Sequence, residues 1–234
     1  MAETTPTHSV PPNLKNRLAE SYDAIAPAYN NWTSGHSALR TNFLNHLLDL
    51  IPSPDPVKSQ PTLLHALELG CGAGVPITST LLSSPRGIPF HVTANDLSSS
   101  QLALAKESLG TDDMKVKWVE GDMMALSFPD ESFDVIIALY SLIHLPREEQ
   151  TKMIRRVYRW LKVGGLVLVN FGAEESEGSE IENWLGGWMY WSGWGAERSL
   201  AVVAEMGLKV VRGEVTPEDG VDASFLWVVG KKTG

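Results

Sequence analysis

Apolar residues recur at helical spacing near the start of the chain. Leu14 to Asn30 and His36 to Ile51 both show this spacing, which predicts two helices. A proline-rich stretch from Pro52 to Pro56 then interrupts the pattern. The chain is therefore predicted to place two helices ahead of its first strand.

Short apolar runs alternate with amphipathic segments over the middle of the chain. Helices are predicted after Gly74, from Ser98 to Leu109 and from Arg147 to Leu161. Alternation of this kind is typical of βαβ units and a parallel sheet. The five predicted strands are Leu63 to Leu69, Phe90 to Ala94, Lys115 to Val119, Phe133 to Leu139 and Leu166 to Phe171.

The last part of the chain follows a different pattern. A helix from Ala196 to Met206 precedes two apolar runs, Leu208 to Val215 and Ser224 to Val229, with a short polar loop between them. This arrangement predicts an antiparallel hairpin at one edge of the sheet. The sequence thus predicts an α/β fold with seven strands, mostly parallel, in one domain.

Charge and composition restrict the classes of partner. The 234 residues include 28 acidic and 19 basic ones, for a net charge of -9, and no Lys/Arg block marks a nucleic-acid surface. No secretory leader and no apolar run of about 18 residues is found, so we expect a cytoplasmic protein without a membrane partner. The single Cys71 and the scattered histidines suggest no metal site.

A glycine-rich segment, Glu68 to Gly74, lies where the first strand turns into a helix. Glycines there permit positive φ and let a ligand lie against the backbone. Asp96 ends the second strand, where a carboxylate can accept hydrogen bonds from ribose hydroxyls. A dinucleotide-binding fingerprint would need Gly or Ala at position 75, which is Val75. A nucleoside-like ligand is therefore favoured over a dinucleotide.

The segment Glu68 to Gly74 resembles the first motif of the class I methyltransferases that depend on S-adenosylmethionine (SAM), an acidic residue followed by Gly-x-Gly-x-Gly. Four later segments resemble that superfamily in the same order: Asn95-Asp96, Gly121-Asp122-Met123, Phe133 to Pro146, and Leu161 to Gly165. The resemblance implies a Rossmann-like fold that binds SAM and releases S-adenosylhomocysteine (SAH). It further implies methyl transfer to an O, N or S atom of a small molecule.

The resemblance also implies roles for individual residues. Asp96 would hold the ribose, Asp122 and Met123 the adenine, and the backbone of Ala138 and Leu139 the ammonium group. The expected cofactor residues are Tyr22, Tyr29, Glu68, Gly70, Gly72, Asp96, Leu97, Asp122, Met123, Ala138 and Leu139.

Tyr22 to Tyr29 resembles the lid of the small-molecule branch of the superfamily. The alternative is an amphipathic helix that packs its aromatic residues on the sheet. With a lid, residues 1–13 are expected to be a disordered tail, residues 14–60 the helical lid and linker, and residues 61–234 the Rossmann-like core.

His144 follows the fourth strand and is a candidate general base, since an imidazole titrates near neutral pH. The alternative is a hydrogen-bonded histidine that begins the next helix and only lines the pocket.

The segment from residue 184 to 194 is rich in tryptophan and follows the fifth strand. Its side chains could enclose a planar or cationic methyl acceptor. The alternative is an aromatic helix that caps the core. The candidate acceptor residues are Trp184, Trp188, Trp191 and Trp194.

Two other functions compete with catalysis of methyl transfer by this fold. One is a non-catalytic SAM-binding scaffold, or an enzyme of the same fold that does not methylate. The other is a nicotinamide-dependent reductase, against which Val75 and the Asp122-Met123 segment argue. The sequence leaves the acceptor and the oligomeric state open.

Overall fold

A computed structural model of the protein describes residues 10–52, 62–218 and 222–234. Its main sheet has seven strands in the order β3-β2-β1-β4-β5-β9-β8. The first five strands are parallel, and β9 runs antiparallel to both β5 and β8. The main-sheet strands are β1 Leu64–Leu69, β2 Phe90–Asp96, β3 Val116–Glu120, β4 Phe133–Ala138, β5 Leu161–Gly172, β8 Leu208–Pro217 and β9 Ser224–Lys232.

Helices cover both faces of this sheet, because both faces of its strands are apolar. On one face Phe43 of α2, Leu81 of α3 and Leu102 of α4 pack into one buried cluster. On the other face Ile154 of α5 and Val203 of α6 belong to a second cluster. The helices are α1 Leu14–Ser34, α2 Ala38–Asp49, α3 Ile77–Leu82, α4 Ser99–Leu109, α5 Arg147–Trp160 and α6 Gly195–Glu205.

These findings confirm the predicted fold: a mostly parallel seven-stranded sheet with an antiparallel C-terminal hairpin. The first helix is longer than predicted and ends at Ser34 rather than Asn30. The hydroxyls of Thr33 and Ser34 donate to the carbonyls of Asn30 and Asn31 in its last turn. The predicted tail lies mostly outside the described residues, as does most of the proline-rich linker.

The aromatic helix that was one interpretation of residues 184–194 is not formed. These residues belong to a hairpin of strands β6 Glu175–Trp184 and β7 Gly187–Trp194. Leu185 and Gly186, both at positive φ, make its two-residue turn. Aromatic residues favour the extended pleated conformation, which here outweighs any helical pattern.

Helix α1 packs on this hairpin rather than on the main sheet. Leu14, Leu18 and Ile25 of α1 share a buried cluster with Met189 and Tyr190 of β7. The hairpin therefore holds α1 above the carboxyl edge of the main sheet, where the site described below lies.

Candidate functional site

The carboxyl ends of β1 to β4 open into a crevice of about 670 Å³, a volume that includes space open to solvent. Helix α1 covers it, with Lys15, Leu18, Tyr22 and Tyr29 in its lining. His144 also lines the crevice. Nine of the eleven expected cofactor residues do so as well: Tyr22, Tyr29, Gly70, Gly72, Asp96, Leu97, Asp122, Met123 and Leu139.

The glycine loop brings bare backbone to the crevice. Gly70 has φ +76°, and a Cβ added there would collide with the Cβ of Ser141. Gly72 has φ +55°, and its Cβ would meet nothing nearer than the Gln101 Oε1 at 3.8 Å. Only glycine fits at position 70, whereas the space beside Gly72 is open to a ligand.

Asp96 lies at the carboxyl end of β2 and is fixed by backbone donors. Its Oδ2 accepts from the Gly72 N–H at 2.7 Å, and its Oδ1 accepts from the Ser98 N–H at 2.9 Å. Burial raises the pKa of this carboxyl, and the hydrogen bonds from Ser98 and Gly72 oppose that shift. Each carboxylate oxygen keeps a lone pair for a ligand hydroxyl.

The preceding residue, Asn95, ties the loops of the crevice together. Its buried amide donates to the carbonyls of Val119 and Gly121, at 3.0 and 2.8 Å. Its own carbonyl accepts from the N–H groups of Gly70 and Cys71. Sequence reasoning missed this role, although an amide side chain directly before Asp96 at the carboxyl end of β2 was the available signal.

Asp122 lies at the end of β3 with its side chain partly exposed. Its Oδ1 accepts from the Met124 N–H at 2.9 Å, which orients the carboxylate at the start of a short 3₁₀ turn. The Lys15 Nζ of α1 lies 3.8 Å from Asp122 and 2.7 Å from Glu149. Lys15 thus links the covering helix to this wall of the crevice.

Two expected cofactor residues do not line the main crevice. Ala138 is fully buried in the core beneath it. Glu68 lines an adjoining cavity of about 400 Å³ and accepts a hydrogen bond from the Thr78 hydroxyl. Burial raises the pKa of Glu68 to about 8, against the opposing effect of the Thr78 bond.

The adjoining cavity holds a buried cation that sequence reasoning missed. Arg40 of α2 is only 6% exposed, and its guanidinium lies 4.5 Å from the ring centroid of Tyr140. Within the described parts of the chain, no carboxylate oxygen lies within 4 Å of it. Its place on the apolar face of α2, three and four residues before Phe43 and Leu44, was the available signal. A buried cation of this kind suits an anionic ligand group.

His144 lies in a short 3₁₀ turn after β4 and is hydrogen-bonded at both ring nitrogens. Its Nδ1 is 2.8 Å from the carbonyl oxygen of Tyr190, and its Nε2 is 2.8 Å from the hydroxyl of Tyr22. A carbonyl only accepts, so Nδ1 carries the proton and Nε2 accepts from Tyr22. Burial lowers the pKa of His144 to about 4, so the ring is neutral at pH 7.

The four candidate acceptor tryptophans do not form one wall, and none lines the main crevice. Trp184 lies 5.8 Å from Tyr29, and Trp191 lies 6.3 Å from His144, between ring centroids. Trp188 lies under the guanidinium of Arg17, away from the crevice. Trp194 donates to the carbonyl of Arg147 and lines a separate depression. Because of the register of the hairpin, these four side chains lie in different environments.

Several buried polar atoms of the crevice have no hydrogen-bond partner among the described residues. They are the Ser141 Oγ and both amide atoms of Gln101. Unsatisfied buried polar groups are rare in folded proteins and mark places where a polar ligand can bind. Together with Asp96, Asp122 and Arg40, they match a ligand with hydroxyl, amino and carboxylate groups.

Comparisons with known proteins agree with this geometry. Residues 66–165 match the model of a methyltransferase domain. The 2-methyl-6-phytyl-1,4-hydroquinone methyltransferase of Synechocystis is 30% identical over 177 residues, which are 67% of this chain and 53% of the relative. The chain therefore spans about half the length of this relative.

Solved structures share the fold. The 1,6-didemethyltoxoflavin-N1-methyltransferase of Burkholderia thailandensis, with bound SAH, has a TM-score of 0.66 at 16% identity, covering 99% of this chain and 94% of its own. The [4+2]-cyclase SpnF has a TM-score of 0.64 at 19% identity, covering 96% of this chain and 99% of its own. The methyltransferase-domain match over residues 66–165 and the shared fold support assignment of this chain to the class I SAM-dependent methyltransferase superfamily. SAM is the cofactor of this superfamily, and the resemblance found in the sequence is confirmed.

Among the described residues, no group of three or more His, Cys, Asp or Glu side chains is placed to hold a metal ion. No helix in the same part of the chain combines the length and apolarity needed to cross a bilayer.

Proposed function

We propose that the protein transfers a methyl group from SAM to an O, N or S atom of a small molecule. The observation that carries the proposal is the pair Asp96 and Arg40. They present a carboxylate and a buried cation to two adjoining cavities that share the wall of Gly70 and Gly72. This spacing of charges suits a nucleoside at one end of the ligand and a carboxylate at the other.

Different residues of the chain would bind different parts of SAM. Asp96 would accept from both ribose hydroxyls, and Asp122 from the adenine amine, with Met123 and Leu97 against the ring. Arg40 would pair with the carboxylate of the amino-acid part. Carbonyl groups at the end of β4, at Ala138 and Leu139, and the acidic Glu68 would face its ammonium group.

When bound, SAM supplies an electrophilic methyl group, so the protein needs to contribute position rather than covalent chemistry. Tyr22 and Tyr29 of α1 would close over the cofactor and exclude water from the reacting end. Under this proposal α1 is the lid of the crevice, held in place by the hairpin.

His144 would take up the proton of an acceptor that loses one. Its Nε2 accepts a hydrogen bond from the Tyr22 hydroxyl, so the proton of the acceptor would pass to His144 through that hydroxyl. A pKa near 4 keeps the ring unprotonated at pH 7 but makes it a weak base. This favours acceptors that need little help from a base, such as an amine in its neutral form.

The acceptor would lie beside the rings of Tyr29, Trp184 and Trp191, which contact one another in edge-to-face or tilted pairs. Such a wall suits a largely apolar, small acceptor. Trp188 and Trp194, also expected from the sequence as acceptor residues, lie apart from this wall.

The same proposal includes a cytoplasmic location for the protein. It also takes the partner to be a small molecule and not a nucleic acid.

A second candidate is an enzyme of this fold that does not transfer a methyl group. Two features favour this second candidate. His144 is a weak base, and the described residues that line the crevice include no other side chain with a ring nitrogen. The likeness to the [4+2]-cyclase SpnF is in keeping with that candidate.

Calorimetric titration of the purified protein tests both candidates. SAM, SAH, NAD⁺ and NADP⁺ are titrated in parallel, and we expect micromolar binding of the two adenosyl ligands only. Binding of a dinucleotide alone would overturn the proposal. If SAM binds, incubation with radiolabelled SAM and a panel of hydroxylated, amino and thiol acceptors separates methyl transfer from the second candidate.

A further inference from the structure

Asp23 of α1 reaches across to helix α4 at the edge of the cofactor crevice. Its Oδ1 accepts from the Ser98 hydroxyl at 2.6 Å and from the Ser100 N–H at 2.9 Å. The Ser99 hydroxyl lies 3.3 Å from its Oδ2. A residue of the covering helix therefore satisfies donors in the first turn of a helix that is 75 residues away along the chain.

Asp23 is ionised when it makes these contacts. Burial alone would raise the pKa of its carboxyl, but the hydrogen bonds from Ser98, Ser100 and Ser99 outweigh this and lower it. These bonds are therefore charge-assisted, and such bonds are shorter and stronger than neutral ones.

Ser98 connects this contact to the cofactor site. It is completely buried, and its N–H donates to Oδ1 of Asp96 at 2.9 Å. Its hydroxyl oxygen also accepts from the Gln101 N–H at 3.1 Å, so it caps α4 while donating to Asp23. Ser98 is thus held at both its backbone and its side chain, with Asp23 on one side and Asp96 on the other.

We propose that Asp23 is a positioning residue of the cofactor site. Through Ser98 it holds the carboxylate of Asp96 in the orientation that receives the ribose, and it couples docking of α1 to nucleoside binding. The proposal rests on the proposed function, because it takes Asp96 to bind the ribose of SAM. A lid residue then contributes to affinity without touching the ligand.

The coupling requires contacts on both sides of Ser98. When α1 lifts, Ser98 and Ser100 lose an acceptor, and the loop that carries the Ser98 N–H is no longer fixed from outside. Of its two donors at Gly72 and Ser98, Asp96 then keeps the Gly72 N–H as the one fixed independently of α1. Conversely, a ligand that fixes Asp96 also fixes Ser98 and favours the docked α1, since coupling between two binding events is reciprocal.

The test measures SAH affinity by calorimetry in a double-mutant cycle of Asp23→Asn and Asp96→Asn. Glu20→Gln is the matched control, since Glu20 is exposed on the same helix and its side chain forms no hydrogen bond or ion pair with a described residue. We expect Asp23→Asn to raise the Kd about tenfold, as for loss of one charge-assisted hydrogen bond. Glu20→Gln should change the Kd less than about twofold, as for an exposed residue without contacts.

The cycle separates positioning from simple stabilisation of α1. If Asp23 acts through Asp96, Asp23→Asn costs almost nothing further once Asp96→Asn is present. A full tenfold loss in that background, or an unchanged Kd for Asp23→Asn alone, would overturn the proposal. Failure of the wild-type protein to bind SAH would instead contradict the proposed function itself. That failure is distinguishable from the outcomes above because it is seen in the wild-type protein, without any variant.

Ser98→Ala provides a second variant, in case Asp23→Asn does not fold as judged by circular dichroism. It removes the bridging hydroxyl and leaves the carboxylate of Asp23 and the Ser100 N–H in place. We expect a rise in Kd of several-fold, for loss of one hydrogen bond, that again vanishes in the Asp96→Asn background. An unchanged Kd for Ser98→Ala would equally overturn the proposal.

Discussion

The Tyr22 hydroxyl donates to Nε2 of His144 at 2.8 Å, although the two residues are 122 positions apart. The other ring nitrogen of His144 donates to the carbonyl of Tyr190 in the hairpin. His144 therefore joins the covering helix, the end of β4 and the hairpin in a single hydrogen-bonded chain. The rings of Tyr22 and His144 also meet edge to face, with their centroids 5.4 Å apart.

Removing the hydroxyl in Tyr22→Phe should lower the free energy of unfolding by about 1–3 kcal/mol, because Nε2 of His144 would lose its donor in a desolvated site. Urea unfolding measures this change. Tyr158→Phe is the control, since the Tyr158 hydroxyl donates to no described residue, and a change within about 0.5 kcal/mol is expected there. Equal effects of the two substitutions would show that the Tyr22 bond contributes nothing specific.

Acid should destabilise the protein through His144. Its pKa is about 4 when folded and near 6.5 when unfolded, so the unfolded chain binds the proton first. The contribution to stability is complete above pH 6.5 and is lost as the pH falls to 4, by up to about 3 kcal/mol. Urea unfolding of the wild type and of His144→Gln across this range measures it. Parallel pH curves for the two proteins would contradict the low pKa.

Alanine should be tolerated far less at Gly70 than at Gly87. Both glycines have positive φ, at +76° and +72°, so both substitutions carry a strain of about 1–2 kcal/mol. A Cβ at Gly87 meets nothing within 4 Å, whereas one at Gly70 collides with Ser141. Gly70→Ala should cost about 1–3 kcal/mol more and weaken SAH binding. Thermal unfolding measures the stability of the two variants, and calorimetry measures their SAH affinity. Equal stability and equal affinity would contradict this prediction.

Asp96 and Arg40 should respond differently to two adenosyl ligands. Asp96→Ala is expected to weaken both SAH and 5′-methylthioadenosine on the order of a hundredfold, because hydrogen bonds to the ribose are lost. Arg40→Met should weaken SAH at least about tenfold, for loss of a charged pair, and spare methylthioadenosine, which has no carboxylate. Calorimetric titration of the two variants with both ligands measures this. If Arg40→Met weakens both ligands equally, Arg40 does not bind the carboxylate.

Much of the fold followed from local patterns. The runs that became β1 to β4 were predicted to within a few residues, because the strands of a parallel sheet with covered faces are rich in apolar residues. Glycines and acids at the ends of these runs then had to meet, since parallel strands bring their carboxyl ends to one edge. Gly70, Gly72 and Asp96 were found in this way, whereas Asp122 was expected from the resemblance to the class I methyltransferases.

The remaining features depended on contacts between distant segments. The position of Arg40 on the apolar face of α2 indicated burial. No local pattern predicted that its side chain would line the cavity beside Glu68, or that Asp23 would reach Ser98. The tryptophans between residues 184 and 194 carry no periodicity that separates a hairpin from a helix, and the register of the hairpin decided which rings face α1.

The sequence by itself determined the order of the main-sheet strands and of the helices between them, the glycine loop and the acid that ends β2. These are consequences of chain-local rules on burial, backbone freedom and the geometry of parallel strands. Only the tertiary structure decided the protonation of His144, the isolation of Arg40 from carboxylates of the described chain and the link from Asp23 to Asp96. Charge and hydrogen bonding inside a protein depend on which groups packing brings within a few ångströms, and the neighbours involved come from elements far apart in the chain.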